Sequence, residues 1–248
     1  MKQVIDNFSE QATYYLKFRP VYTKKIFDYL FQQFDCFDFA LDSVSGSGQV
    51  AVELAHKFKK VYANDINSEQ LTLAAFRNKI SYSVCRAEQT ELHNQCIDLF
   101  TVAQGLQWFD NDTFYGEVTH LAKPNAVIGI WGYYLLKTSP KTDQLIVTLY
   151  HKIVGEYSEP EHKLVKTTYR NIQFPFTEIK TPKVDMELLC NFETLIGYFN
   201  SCSSVSKYPK ITNSNTIDLI GNYLFKAWVT KEFQVVNFSN FCKTGEVF

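Results

Sequence analysis

Residues 39–65, FALDSVSGSGQVAVELAHKFKKVYAND, constrain this chain more than any other stretch. Phe39, Ala40 and Leu41 form a short apolar run that stops at Asp42. Small residues follow, and Gly46 and Gly48 permit backbone angles and close ligand approach that bulkier residues forbid. Val50, Leu54 and Phe58 then recur at helical spacing, and Val61 to Ala63 rebuild a strand that closes on Asn64 and Asp65. Such a strand–turn–helix–strand unit aims a helix N-terminus at a ligand and sets an acid to receive ribose hydroxyls. Binding of a nucleoside cofactor is the expectation this stretch raises.

The rest of the chain repeats the alternation. Phe8 to Phe34 is amphipathic with a break at Pro20, since Arg19 before a proline is disfavoured in a helix. Tyr15, Arg19 and Tyr22 flank that break; they either wall a pocket or staple the segment to the sheet edge. A capped helix is expected from Leu71 to Lys79, a strand over Ser81 to Arg86, and a doubly buried strand over IDLFTVA, Ile97 to Ala103. A helix around Phe114 to Leu121 and a strand from Ala126 to Trp131 complete the series. Five strands alternating with helices predict an α/β fold: a Rossmann-like, doubly wound, mostly parallel sheet of about seven strands. Ligands of such sheets gather at the carboxyl ends of the strands, where Asp42 to Gly48, Asp65, Ala87-Glu88 and Gln104 to Trp108 all fall.

Beyond Gly132 the alternation lapses. Leu145 to Val154, Leu188 to Phe199 and Ile217 to Trp228 read as helices, with polar separators at Ser158 to Lys163 and Lys207 to Asn215. Phe174 to Ile179 and Phe233 to Phe241 read as extended and are expected to pair antiparallel at one edge. The organisation expected is a single domain over 1–248: lid helices over 1–34, a cofactor-binding core over 35–132, a helical cap with an edge strand over 133–232, and a final edge strand over 233–248.

Composition narrows the function. A formal net charge of −1 without a basic stripe gives no reason to expect a nucleic-acid partner. No apolar run approaches a membrane span and the N-terminus lacks a signal-peptide core, so no membrane partner and a cytoplasmic location are expected. The six scattered cysteines read as reduced and mostly buried, and the five dispersed histidines show no metal spacing; no metal is expected. The 16% aromatic content suits a Phe-rich core or an aromatic-lined cavity.

These residues resemble the class I S-adenosylmethionine-dependent methyltransferases, in the branch similar to trans-aconitate methyltransferase and its small-molecule relatives. LDSVSGSGQ is similar to the family's first motif, VYANDIN to its second and CRAE to its adenine-side loop. AQGLQWFD resembles the segment after strand four, LAKPNAVIGIWGY the approach to strand five, FSEQATYYLKFRPVYTKKIFDYL the N-terminal lid, and ETLIGYFNSCSSVSKY the C-terminal cap helix.

The resemblance implies S-adenosylmethionine as cofactor, a small-molecule methyl acceptor, and in-line displacement that needs positioning rather than a covalent nucleophile. It implies cofactor contacts at Asp42, Ser43, Gly46, Gly48, Asp65, Ile66, Ala87, Glu88, Gln104, Gly105 and Arg19. Substrate contacts fall at Tyr15, Tyr22, Gln107, Trp108 and Trp131, and no catalytic residue is assigned. A monomer or homodimer is expected.

Two departures stand out. Val44 replaces the first glycine of the turn, and Gln107 stands where relatives often carry a histidine. Two alternatives therefore stay open. One is a nicotinamide-dependent oxidoreductase, since Gly46-x-Gly48-x-x-Ala51 fits the dinucleotide fingerprint; the other is a non-catalytic binding protein with a decayed turn.

Overall fold

The computed structural model describes residues 16–228 and 232–247. The chain is helical over 16–18, breaks at Pro20 and restarts as α1 (Lys24–Phe31), where the Thr23 hydroxyl caps the helix by accepting from the Lys25 N–H. Ile26, Phe27 and Leu30, at helical spacing, are buried. β1 (Phe39–Ser43), α2 (Gln49–Leu54), β2 (Lys60–Asp65), α3 (Ser68–Thr72) and β3 (Ile80–Val84) follow, then β4 (Ile97–Ala103), α4 (Asn111–Leu121) and β5 (Ala122–Lys137). Strands β1 to β5 pair in parallel.

The second half adds α5 (Pro140–Thr148), α6 (His162–Lys166), β6 (Thr177–Ile179), β7 (Met186–Cys190), α7 (Phe192–Asn200), α8 (Ser203–Thr212), α9 (Thr216–Ala227) and β8 (Gln234–Glu246). Strand order is β3-β2-β1-β4-β5-β8-β6, with β7 beside β8. β8 runs antiparallel to β5, β6 and β7, so the expected antiparallel edge is present, built from one more strand than anticipated.

The sheet is covered on both faces, as a parallel sheet requires. Gly129 and Trp131 face α1: Leu30 lies where a side chain on Gly129 would go, and the Phe27 ring packs edge-on against Trp131 at 6.1 Å. Phe100, Val102, Ile128 and Ile130 face the other side and pack with Phe114, Val118 and Leu121 of α4. A further core joins the outer end of β5 to the late helices: Tyr133 and Leu136 pack with Ile146, Leu195, Phe199 and Leu224.

The elements differ from expectation at four places. α3 ends at Thr72 rather than Lys79. β5 continues past Trp131 to Lys137, because β8 keeps pairing with it out to Asn237. Residues from Met186 form β7 before α7 begins, so the helical spacing seen from Leu188 starts too early. The polar Lys207 to Asn215 stretch is helical through Thr212, with Val205 buried on one face of α8 and Lys210 and Ile211 exposed. Among the cysteines, Cys190 and Cys202 are buried, whereas Cys36 is exposed.

Candidate active site

The carboxyl ends of β1 and β2 are tied together by their own polar groups. The Ser45 N–H donates to the Asn64 carbonyl at 3.0 Å, and the Gly46 N–H donates to Asp65 Oδ2 at 2.9 Å. Asp65 Oδ1 also accepts from the Asn67 N–H at 2.8 Å, so this carboxylate links the turn to the start of α3. Gly46 and Gly48 adopt φ values of +55° and +80°. A Cβ on Gly48 would lie 2.4 Å from the Tyr82 hydroxyl, and one on Gly46 would lie 2.9 Å from Gln70 Oε1. The positive φ favours glycine at both positions, and a side chain at either would also have to displace the end of Gln70 or Tyr82.

Val44 also has positive φ, at 57°. A β-branched residue there costs on the order of 1–3 kcal/mol. Its side chain is turned toward Gly105, where a Cβ would meet Val44 carbons at 3.0–3.3 Å. The absent side chain at Gly105 thus makes room for the one added at position 44.

Asp42 sits beneath the turn, 1% exposed, accepting from the Ser45 hydroxyl at 2.7 Å and the Thr101 hydroxyl at 2.9 Å. Burial raises its carboxyl to about 7, against the lowering effect of those hydrogen bonds, and the nearby Asp65 charge adds to the rise. Ser43 is buried beside it. The Ser47 hydroxyl and Asn64 Oδ1 are buried at the same rim without a hydrogen-bond partner among the described residues.

Ala87 is buried in the core, and Glu88 accepts from Arg86 at 2.9 Å and from the Asp110 N–H at 3.0 Å. Ile66 is exposed next to Asp65. Gln104 holds two strands together. Its amide donates to the Tyr133 carbonyl and accepts from the Tyr133 N–H, both at 2.8 Å, so its side chain extends the β4–β5 ladder by one peptide-like rung. Gln107 is buried, donating to the Gln104 carbonyl at 3.0 Å and accepting from the Tyr169 hydroxyl. Trp108 meets the His162 ring edge-on at 5.5 Å.

Arg19 reaches across to the late helices. Its guanidinium donates to the Tyr133 hydroxyl at 3.2 Å and the Ser201 carbonyl at 2.9 Å, and stacks over the Tyr198 ring at 5.2 Å. Arg19, Gln104, Tyr133, Tyr150, His162 and Cys202 are among the residues lining a cavity of 330 Å³. The Tyr150 hydroxyl and Cys202 thiol are hydrogen-bonded at 3.0 Å. Burial lowers the His162 pKa from its usual 6.5, and the Arg19 charge lowers it further, opposed by Glu159 and Glu161. His162 Nε2 is buried without a hydrogen-bond partner among the described residues.

The rim thus brings together Asp42, Ser43, Gly46, Gly48 and Asp65, and places Arg19 and Gln104 in the adjoining cavity. Tyr22 packs against Trp131 at 5.7 Å, and Trp131 lies under α1 with no place in that cavity's wall. Tyr15 lies outside the described residues. Tyr133, Tyr150, His162 and Cys202 line the cavity without having been expected there. Tyr133 sits beyond the apparent end of β5, and His162 within what reads as a polar separator. The one signal pointing to His162 is indirect: a family histidine is missing at position 107, and another element supplies one nearby.

Four resemblances to known proteins bear on this arrangement. The family profile described as "Methyltransferase domain" matches residues 41–130, which span β1 through most of β5. A Dictyostelium discoideum protein provisionally named a methyltransferase is 30% identical over 231 residues, covering 92% of this chain and 88% of its own length. The structure of an Anaeromyxobacter dehalogenans protein, provisionally described as a type II methyltransferase, superposes with a TM-score of 0.85 at 30% identity, covering 93% of this chain and 99% of the other. The fold is also shared, at 14% identity and a TM-score of 0.51, by a Haemonchus contortus phosphoethanolamine N-methyltransferase solved with S-adenosyl-L-methionine; the match covers 99% of this chain and 60% of that one.

Proposed function

This chain belongs to the class I S-adenosylmethionine-dependent methyltransferases, and on that premise we propose that it transfers the cofactor's methyl group to a small-molecule acceptor by in-line displacement. The observation that carries the proposal is the Gly46–Asp65 hydrogen bond, which joins the glycine turn and the strand-end acid into one rim. The rim's chemistry suits the cofactor. Asp42 and Asp65 lie close enough for their charges to interact, and the cofactor brings a sulfonium and an ammonium. Ser47 and Asn64 add buried polar atoms with no partner among the described residues. When bound, S-adenosylmethionine supplies an activated methyl on a neutral leaving group.

The chain's own part is placement. Asp65 accepts from ribose hydroxyls with the lone pairs left by Gly46 and Asn67, while Glu88 stands on the adenine side. The acceptor occupies the cavity that Arg19, Tyr133 and Tyr150 enclose, next to Gln104. Positioning of this kind contributes roughly 7–11 kcal/mol in well-oriented systems. Where the acceptor carries an O–H or N–H, His162 takes the proton once a side-chain movement uncovers its buried Nε2, which accepts no hydrogen bond among the described residues; its imidazole is held neutral near pH 7.

Differential scanning tests the cofactor reading. S-adenosylhomocysteine at about a hundredfold over its dissociation constant should stabilise the protein by about 2.7 kcal/mol, whereas the oxidised nicotinamide cofactor should not. Stabilisation by the nicotinamide cofactor alone would transfer the rim to hydride chemistry. Stabilisation by neither would leave a binding protein.

A further inference from the structure

α8 begins in the wall of the 330 Å³ cavity, and its N-terminus has no side-chain cap. Cys202 stands at the N-cap position, but its thiol is engaged with the Tyr150 hydroxyl and the Tyr198 carbonyl. The first N–H of this helix with a backbone acceptor is that of Ser206, which donates to the Cys202 carbonyl at 3.1 Å. The N–H groups of Ser203, Ser204 and Val205 have no acceptor among the described residues. With the positive end of the helix dipole behind them, such groups favour an anion.

Two side chains at the same place point independently to a ligand. Ser203 and Ser204 are only 5% and 6% exposed, yet both line the cavity. The Ser203 carbonyl accepts from the Ser206 hydroxyl, but neither the Ser203 nor the Ser204 hydroxyl has a hydrogen-bond partner among the described residues. In contrast to the Ser47 hydroxyl, neither oxygen is sealed off by the fold, so each keeps surface toward the cavity. The charge of the wall has the matching sign: Arg19, Lys163 and Lys166 stand against Glu156 and Glu159, and Glu159 is ion-paired with Lys207.

The donor set also selects among anions. Three N–H and two O–H groups at one helix end exceed the roughly four lone-pair sites of a carboxylate. A phosphate monoester, with three terminal oxygens and nearly two negative charges near pH 7, can accept from all of them. We propose that the N-terminus of α8 holds the phosphate group of a phosphorylated small molecule, whose organic part lies along Tyr133 and Tyr150. That this molecule is the methyl acceptor rests on the methyltransferase reading; the phosphate site itself does not.

Isothermal titration calorimetry with phenyl phosphate, at fixed ionic strength in a phosphate-free buffer, tests the proposal. One site per chain is expected, and benzoate, equally aromatic but a carboxylate, should bind more weakly. Replacing both hydroxyls, Ser203→Ala with Ser204→Ala, should raise the phenyl phosphate dissociation constant at least about tenfold. Unchanged far-UV circular dichroism establishes that the double variant folds, and the contrast with benzoate needs no variant. Four outcomes overturn the proposal: no binding of phenyl phosphate; benzoate binding as tightly or more tightly; an unchanged affinity in the folded double variant; or displacement of phenyl phosphate by S-adenosylhomocysteine, which would make this part of the cofactor site. Failure of the methyltransferase reading appears separately, as absent stabilisation by S-adenosylhomocysteine while phenyl phosphate still binds.

Discussion

Val44 and Gly105 form a compensating pair. The strain of a β-branched residue at φ 57° is accommodated because position 105 has no side chain to collide with it. Gly105→Ala should therefore destabilise by about 1–3 kcal/mol, and the loss should shrink when combined with Val44→Gly; urea denaturation of the double-mutant cycle reads the coupling. Asp42 makes a prediction about pH. Its folded value of about 7 lies above the usual 3.8, so the folded state holds a proton that the unfolded chain gives up. The stability this contributes is complete below the lower value and is lost as pH rises through the upper one. Asp42→Asn should thus gain thermal stability relative to the parent between about pH 4 and about pH 7, while weakening cofactor affinity. A parent whose stability advantage grows over that range would contradict it. At this scale the glycine turn and Asp65 were legible in the sequence, because a small-residue bend and a strand-end acid have a fixed local meaning. The cavity residues Tyr150 and Cys202 were not: nothing local to either reports that Arg19, far away in sequence, would meet them.

Gln104 shows how one side chain acts as part of an element. Its amide pairs with both backbone groups of Tyr133, so β4 gains a rung beyond its own chain, and Gly132 provides the clearance, since a Cβ there would lie 2.6 Å from Gln104 Oε1. Gln104→Leu should destabilise by about 2–4 kcal/mol through two unpaired peptide groups. Gln104→Glu should restore little at neutral pH, because a carboxylate cannot donate to the Tyr133 carbonyl; equal stability of the Glu variant and the parent would refute the pairing. The five parallel strands were readable from apolar runs of the right length. β7 and α8 were not, because their identity is set by partners: Met186 to Cys190 is a strand through its pairing with β8, and Lys207 and Lys210 are helical because Val205 and its neighbours anchor α8. The same holds for the outer part of β5, which pairing with β8 carries past Gly132 to Lys137.

Across the whole molecule, the two ends of the site come from different parts of the chain. The sheet's carboxyl rim gathers the carboxylates and the glycine turn, while the late helices, with Arg19, enclose the adjoining cavity. His162→Gln should lower the turnover of an acceptor that must lose a proton, by roughly 10²–10⁴-fold at neutral pH, while leaving cofactor affinity unchanged. In the parent that turnover should fall as acid protonates His162, at a pH below its usual 6.5. Burial and the neighbouring Arg19 and Lys207 charges oppose protonation more than Glu159 and Glu161 favour it. The most direct measurement of the central claim is isothermal titration calorimetry with S-adenosylhomocysteine on the parent and on Asp65→Ala. One site per chain is predicted in the parent, with binding weakened at least about tenfold in the variant at unchanged secondary structure. Heat that is absent from the parent, or an affinity equal in both proteins, would contradict it.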